Sequence, residues 1–126
     1  MTDKIVMAIL LIVGIINILP AVVFFDPSKT LRLYGLPIEG TDLTILMRHR
    51  GVLLAIVGIA LIVAAFKPEF RVFAVALALI SKLAFIFLAF TIAGHTAEIR
   101  QVALIDVGAV VLLLAALGIH FFAKYS

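Results

Sequence analysis

No cysteine occurs among the 126 residues, and that absence excludes disulfides, thiolate metal sites and cysteine nucleophiles. Charge is scarce too, with Asp, Glu, Lys and Arg together making up 13% of the chain. The net charge of +3 is spread thinly, without a Lys/Arg block of the kind that grips nucleic acid. Contact with anionic lipid headgroups accounts for it. No two of the three histidines stand three or four residues apart, so the usual helix-borne metal motif is missing. The chain has no glycine-rich phosphate loop, and its few serines carry no nucleophile signature. Internal repeats, low-complexity tracts and linkers are also missing. Neither a nucleic-acid partner nor a metal site is expected, and no cofactor is indicated.

What remains is apolar. Hydrophobic residues form 66% of the chain and the mean hydropathy is +1.36. A soluble domain of this length cannot hide that much apolar surface within itself, so lipid must cover the remainder. The pattern predicts an all-α bundle of four transmembrane helices in a single integral membrane domain, residues 1–126. The helices are expected at about residues 4–25, 42–66, 68–93 and 97–123, each longer than the roughly 20 residues that cross a bilayer. The first run is longer than a signal-peptide core and passes through Pro20 into Phe24-Phe25-Asp26 without a small-x-small cleavage site, so it reads as a retained helix.

The connections carry recognisable punctuation. Lys67-Pro68-Glu69 makes a tight turn with Pro68 suited to a first helical position. Gly94 falls where a left-handed cap would end the third helix, and Thr96 caps the fourth, with Glu98 in its first turn. In the long connection, residues 26–41, Asp26-Pro27 starts and Gly35 with Pro37 stops a short segment in which Leu31 and Tyr34 share a face. That segment reads as an interfacial helix across the mouth of the bundle.

Against this background a few polar side chains stand out: Asn17, Arg48, Lys82 and Asp106. Each lies on or beside a stripe of small residues: Gly14 and Ala21 by Asn17; Gly51, Ala55 and Gly58 by Arg48; Ala74, Ala78 and Ser81 by Lys82; Ala103 and Ala109 by Asp106. Small residues mark close helix packing in membranes. Measured from the surface bearing the long loop, Arg48 lies roughly 9 Å deep, Asn17 and Asp106 about 12–14 Å, and Lys82 about 16 Å. With helices alternating in direction, all four fall in the same half of the membrane and predict one polar site. Neighbouring Arg50 shares a face with Leu54, Val57 and Leu61 and is assigned to the headgroups. His49 lies between the two faces, as a proton carrier, a metal or haem ligand, or a plain interfacial side chain. A site built from His49, His95 and Glu98 across loops is a further alternative. Phe85, Phe87 and Phe90 are candidates to wall an apolar pocket.

The stretch Leu46-Met47-Arg48-His49-Arg50-Gly51-Val52-Leu53-Leu54, with Gly58 downstream, resembles the second helix of small bacterial membrane proteins of the DoxX-like group. The resemblance implies a compact four-helix bundle in a bacterial inner membrane and transfers no activity or catalytic residue. The first helix lacks the polar-aromatic entry of DoxX itself.

Two readings of the polar cluster follow. In one it is purely architectural, with Asp106 neutralising Lys82 or Arg48 and Asn17 completing the hydrogen bonds. In the other Asn17, Arg48, His49, Lys82 and Asp106 form a pocket for a lipophilic molecule with an anionic or carbonyl head, such as a quinone, fatty acid or lipid, because cations outnumber carboxylates. A membrane-embedded isomerase or redox accessory, with or without haem, would need His49 or Asp106 to move a proton. A ligand-free accessory subunit or a homo-oligomer would need only the small-residue faces. Lys4, Lys67, Arg71 and Lys124 on the side of the termini, against Lys29, Arg32 and Arg100 on the other, place both termini in the cytoplasm, although counting Arg48 and Arg50 reverses that bias.

Overall fold

Hydrocarbon offers no partner for a free N–H or C=O, so segments this apolar fold as helices that satisfy their own backbone. The structure, a computed structural model, describes residues 2–21, 25, 26, 35, 40–92, 94 and 96–125. It contains four long helices: α1 (Thr2–Ile18), α2 (Thr41–Phe66), α3 (Arg71–Thr91) and α4 (Ala97–Tyr125). Short 3-10 turns, Leu19–Ala21 and Pro68–Phe70, extend α1 and lead into α3. With those turns included, all four helices are long and apolar enough to cross a membrane.

The helices form an up-and-down ring in which each packs on its neighbours in sequence and α4 closes against α1. The α1–α2 seam is the most extensive and the α2–α3 seam the least. At the α1–α2 crossing the two backbones meet. A Cβ on Gly58 would stand 2.6 Å from the Gly14 carbonyl oxygen and 2.7 Å from Ile18, and one on Gly14 would stand 2.9 Å from the Gly58 carbonyl oxygen. Only glycine permits that approach. Inside, Leu10, Leu61 and Leu113 interlock with alanines such as Ala64, Ala78 and Ala109. The bulky residues Ile12, Ile56, Phe73, Ile80 and Val111 face outward. An apolar exterior of this kind suits lipid rather than water.

Local chemistry sets the ends. The Thr96 hydroxyl accepts the Ile99 amide hydrogen (3.2 Å) as the expected cap of α4. Gly94 adopts φ +90° just beyond α3, and Pro68 occupies the start of its turn. The first helix is interrupted by a 3-10 turn at Leu19–Ala21; Phe25 is again helical, and the stretch between them lies outside the described residues. Pro20 has no amide hydrogen for the Ile16 carbonyl, and its ring crowds the preceding turn. The expected interfacial helix and His95 lie outside the described residues. Gly35, which is described, packs against Thr96 and the Glu98 carboxylate at the start of α4.

Candidate functional site

Lys82 follows Ala74 and Ala78 at four-residue intervals, which places it on the inner face of α3. It is only 4% exposed. A buried ammonium persists only when other groups replace its hydration. Two do so: Lys82 Nζ donates to Asn17 Oδ1 (2.8 Å) and to Asp106 Oδ1 (3.0 Å). Asn17, also 4% exposed, uses its Nδ2 to donate to the Leu54 carbonyl oxygen at 2.7 Å. Asn17 thus joins α1 to α2, while Lys82 joins α3 to α4 and crosses the ring to α1. The packing leaves that diagonal nearly without contacts.

Beside this network lies a partly enclosed cavity of about 160 Å³. All four helices contribute to it: Asn17 and Pro20 from α1, Arg50 and Leu54 from α2, Lys82 and Phe85 from α3, and Asp106 from α4. The Asp106 side chain keeps 15% exposure there. An ammonium has three donors and a carboxylate two acceptor oxygens. Among the described residues, Lys82 uses two of its donors and Asp106 one of its oxygens. The spare donor and acceptor are the chemical resource of the site.

The structure brings Asn17, Lys82 and Asp106 together and separates Arg48 and His49 from them. Arg48 is half-buried but does not line the cavity. Arg50, assigned to the headgroups from sequence, lines it instead, with its guanidinium carbon 4.9 Å from the centre of the Phe85 ring. Gly58 of the α2 glycine stripe packs on Gly14 of α1, and Arg48 belongs to that stripe rather than to the face that lines the cavity. The cavity opens on the next face, where Arg50 and Leu54 are one turn apart. His49 is exposed and lines an adjoining groove of about 330 Å³ between α2 and α3, which shares Arg50, Leu54 and Ser81 with the cavity. Phe85 walls the cavity as expected, whereas Phe87 and Phe90 point outward.

A second buried cation went unassigned in the sequence. Arg71, 3% exposed, donates through Nε to the Ala64 carbonyl oxygen (3.0 Å), through Nη2 to that of Ala65 (2.8 Å), and through Nη1 to Asp3 Oδ1 (2.6 Å). Ala64 and Ala65 stand in the last turn of α2, whose carbonyls have no partners within the helix. A basic residue a few positions beyond a helix end was the available signal. Among the described residues, no group of three or more His, Asp or Glu side chains is arranged to hold a metal ion. Comparison with protein-family models, curated proteins and solved structures finds no match for the chain.

Proposed function

We propose that this chain is a multi-pass protein of a bacterial inner membrane, with both termini in the cytoplasm, that binds a small lipophilic molecule by an anionic or carbonyl head. The observation that carries this reading is the Lys82 ammonium, buried on the wall of a cavity with a donor to spare among the described residues. Purely structural pairing has no need of a cavity beside it. The size fits a head and not a whole lipid, since an engineered apolar cavity of about 150 Å³ takes up benzene. Lys82 would hold the head oxygen, Asp106 would orient the ammonium, Asn17 would fix both to α1, and Arg50 would add a second positive charge. No proton-transfer role is assigned to His49, which lies outside the cavity.

A second reading is supported by the complete pairing of the network: among the described residues, no buried side-chain nitrogen or oxygen lacks a hydrogen-bond partner. On that reading the cluster only fixes helix register, and the protein is an accessory subunit. Mass spectrometry of lipids and quinones retained through mild purification separates the two. The ligand reading expects a stoichiometric amphiphile in the wild type that is lost when Lys82→Met and Asp106→Leu are combined. A folded double variant with the wild-type lipid profile would leave the accessory reading standing.

A further inference from the structure

A hydroxyl on a membrane helix ordinarily hides its polarity by donating to the carbonyl one turn back. Thr44 does so with Gly40 (2.8 Å) and Thr91 with Phe87 (2.6 Å). Ser81 does not. It makes no hydrogen bond among the described residues, and none of their buried side-chain oxygens lacks a partner, so its hydroxyl is open to the cavity and groove that it lines. Asp106 is open in the same way. Its Oδ1 takes the Lys82 bond and its Oδ2 takes none, so that second oxygen is not sealed inside the bundle. With the third Lys82 hydrogen, the cavity wall presents a donor, an acceptor and a hydroxyl that can act as either.

Resting on the binding function above, we propose that this wall selects an uncharged amphiphile of the carboxamide type, whose carbonyl head carries an N–H beside the oxygen, and that Ser81 is one of its binding residues. Lys82 and Asp106 are bonded to each other at 3.0 Å, so a head that meets both must place its own acceptor and donor on neighbouring atoms. A carboxamide does so: its oxygen accepts from Lys82 and its N–H donates to Asp106. A carboxylate has acceptors only, and it would set its negative oxygens against the one carboxylate on the wall. A ketone or quinone satisfies Lys82 but covers Asp106 Oδ2 without giving it a donor, and an acceptor left unpaired in that way costs most of what the contact gains. An ammonium head meets Asp106 and is repelled by Lys82. Arg50 shares the wall without donating to Asp106, which leaves that bond to the head. The Ser81 hydroxyl, able to donate or accept, takes a remaining valence of the amide.

The test uses the full chain in phosphatidylcholine nanodiscs with hexadecanamide carrying a photoreactive diazirine in its chain near the head. Crosslinks are mapped by peptide mass spectrometry while competitors of matched chain length are titrated against the label. The expected result is saturable labelling at Phe85, Val102 or Ile105, which line the cavity. Unlabelled hexadecanamide should displace it at a concentration about tenfold or more below that needed of 2-heptadecanone or palmitate, the worth of one hydrogen bond to a charged group. The ketone has a methyl where the amide has its NH2, so it keeps the shape and the carbonyl and loses only the donor. Ser81→Ala removes no hydrogen bond among the described residues, and it should weaken hexadecanamide about two- to tenfold at an unchanged melting temperature. Equal displacement by 2-heptadecanone would overturn the need for a donor, and stronger displacement by palmitate would overturn the uncharged head, each leaving the binding function intact. Unchanged affinity in Ser81→Ala would remove Ser81 from the site. Absence of saturable labelling would overturn the carboxamide head, and together with a preparation free of bound lipid and quinone it would remove the binding function as well.

Discussion

Arg71 and Lys82 share one face of α3, about three turns apart, and both are almost wholly buried. Their surroundings differ in kind. Arg71 spends its fork on two carbonyls at the end of α2 and on Asp3. Asp3 itself is 58% exposed at the start of α1, where water completes its solvation. Arg71 lines neither the polar cavity nor the α2–α3 groove. Lys82 pairs with Asp106 and Asn17 deep in the bundle, next to open space. One buried cation closes the backbone of a helix end, and the other maintains a polar wall that faces a void. Burial alone therefore does not mark a site in a membrane protein. The distinction lies in whether the charge has open space in front of it.

The largest expected effect tests the Lys82 side of that contrast. Lys82→Met strands the Asp106 carboxylate and the Asn17 oxygen in low dielectric, at a cost of about 3–5 kcal/mol. Unfolding in mixed micelles should show it, and adding Asp106→Leu should recover most of the loss. A single variant as stable as the wild type would mean that the pair is solvated rather than buried.

Arg71→Met is expected to cost somewhat less, about 2–4 kcal/mol, since it leaves the Ala64 and Ala65 carbonyls without donors. Its decisive readout is the ligand: the folded fraction should keep the wild-type lipid profile. Loss of bound lipid in that variant would break the contrast between a structural and a site-forming cation.

The smallest effects concern the apolar frame that both cations brace. Gly58→Ala forces the α1 and α2 backbones apart at their contact with Gly14 and should cost about 1–3 kcal/mol. Gly108→Ala, where an added Cβ meets nothing within 4 Å, should gain about 0.5–1 kcal/mol from reduced backbone freedom. The same unfolding assay ranks them, and equal shifts would deny the close crossing of α1 and α2.

Much of this was legible from residue order. Run length and apolarity determined four helices, because a backbone in hydrocarbon has no other way to satisfy itself. The Lys67-Pro68 turn, the Thr96 cap and the left-handed Gly94 are local events, set by side chains within a few residues of where they act. Depth arithmetic likewise brought Asn17, Lys82 and Asp106 to one level, since each helix advances by a constant rise. The faces were another matter. In a soluble helix the apolar stripe reveals which side is inside, but here lipid and core are equally apolar, so hydrophobicity does not distinguish Arg48 from Arg50. That choice was made by the Gly14–Gly58 contact, which turned the glycine face of α2 towards α1 and left Arg50 to the cavity. Tertiary structure also decided the capture of Arg71, because the carbonyls it caps belong to α2 and the carboxylate it meets lies at the far N-terminal end of the chain. Sequence determined which segments cross the membrane and how deep each polar group lies; only the packing of helix on helix determined which way each one points.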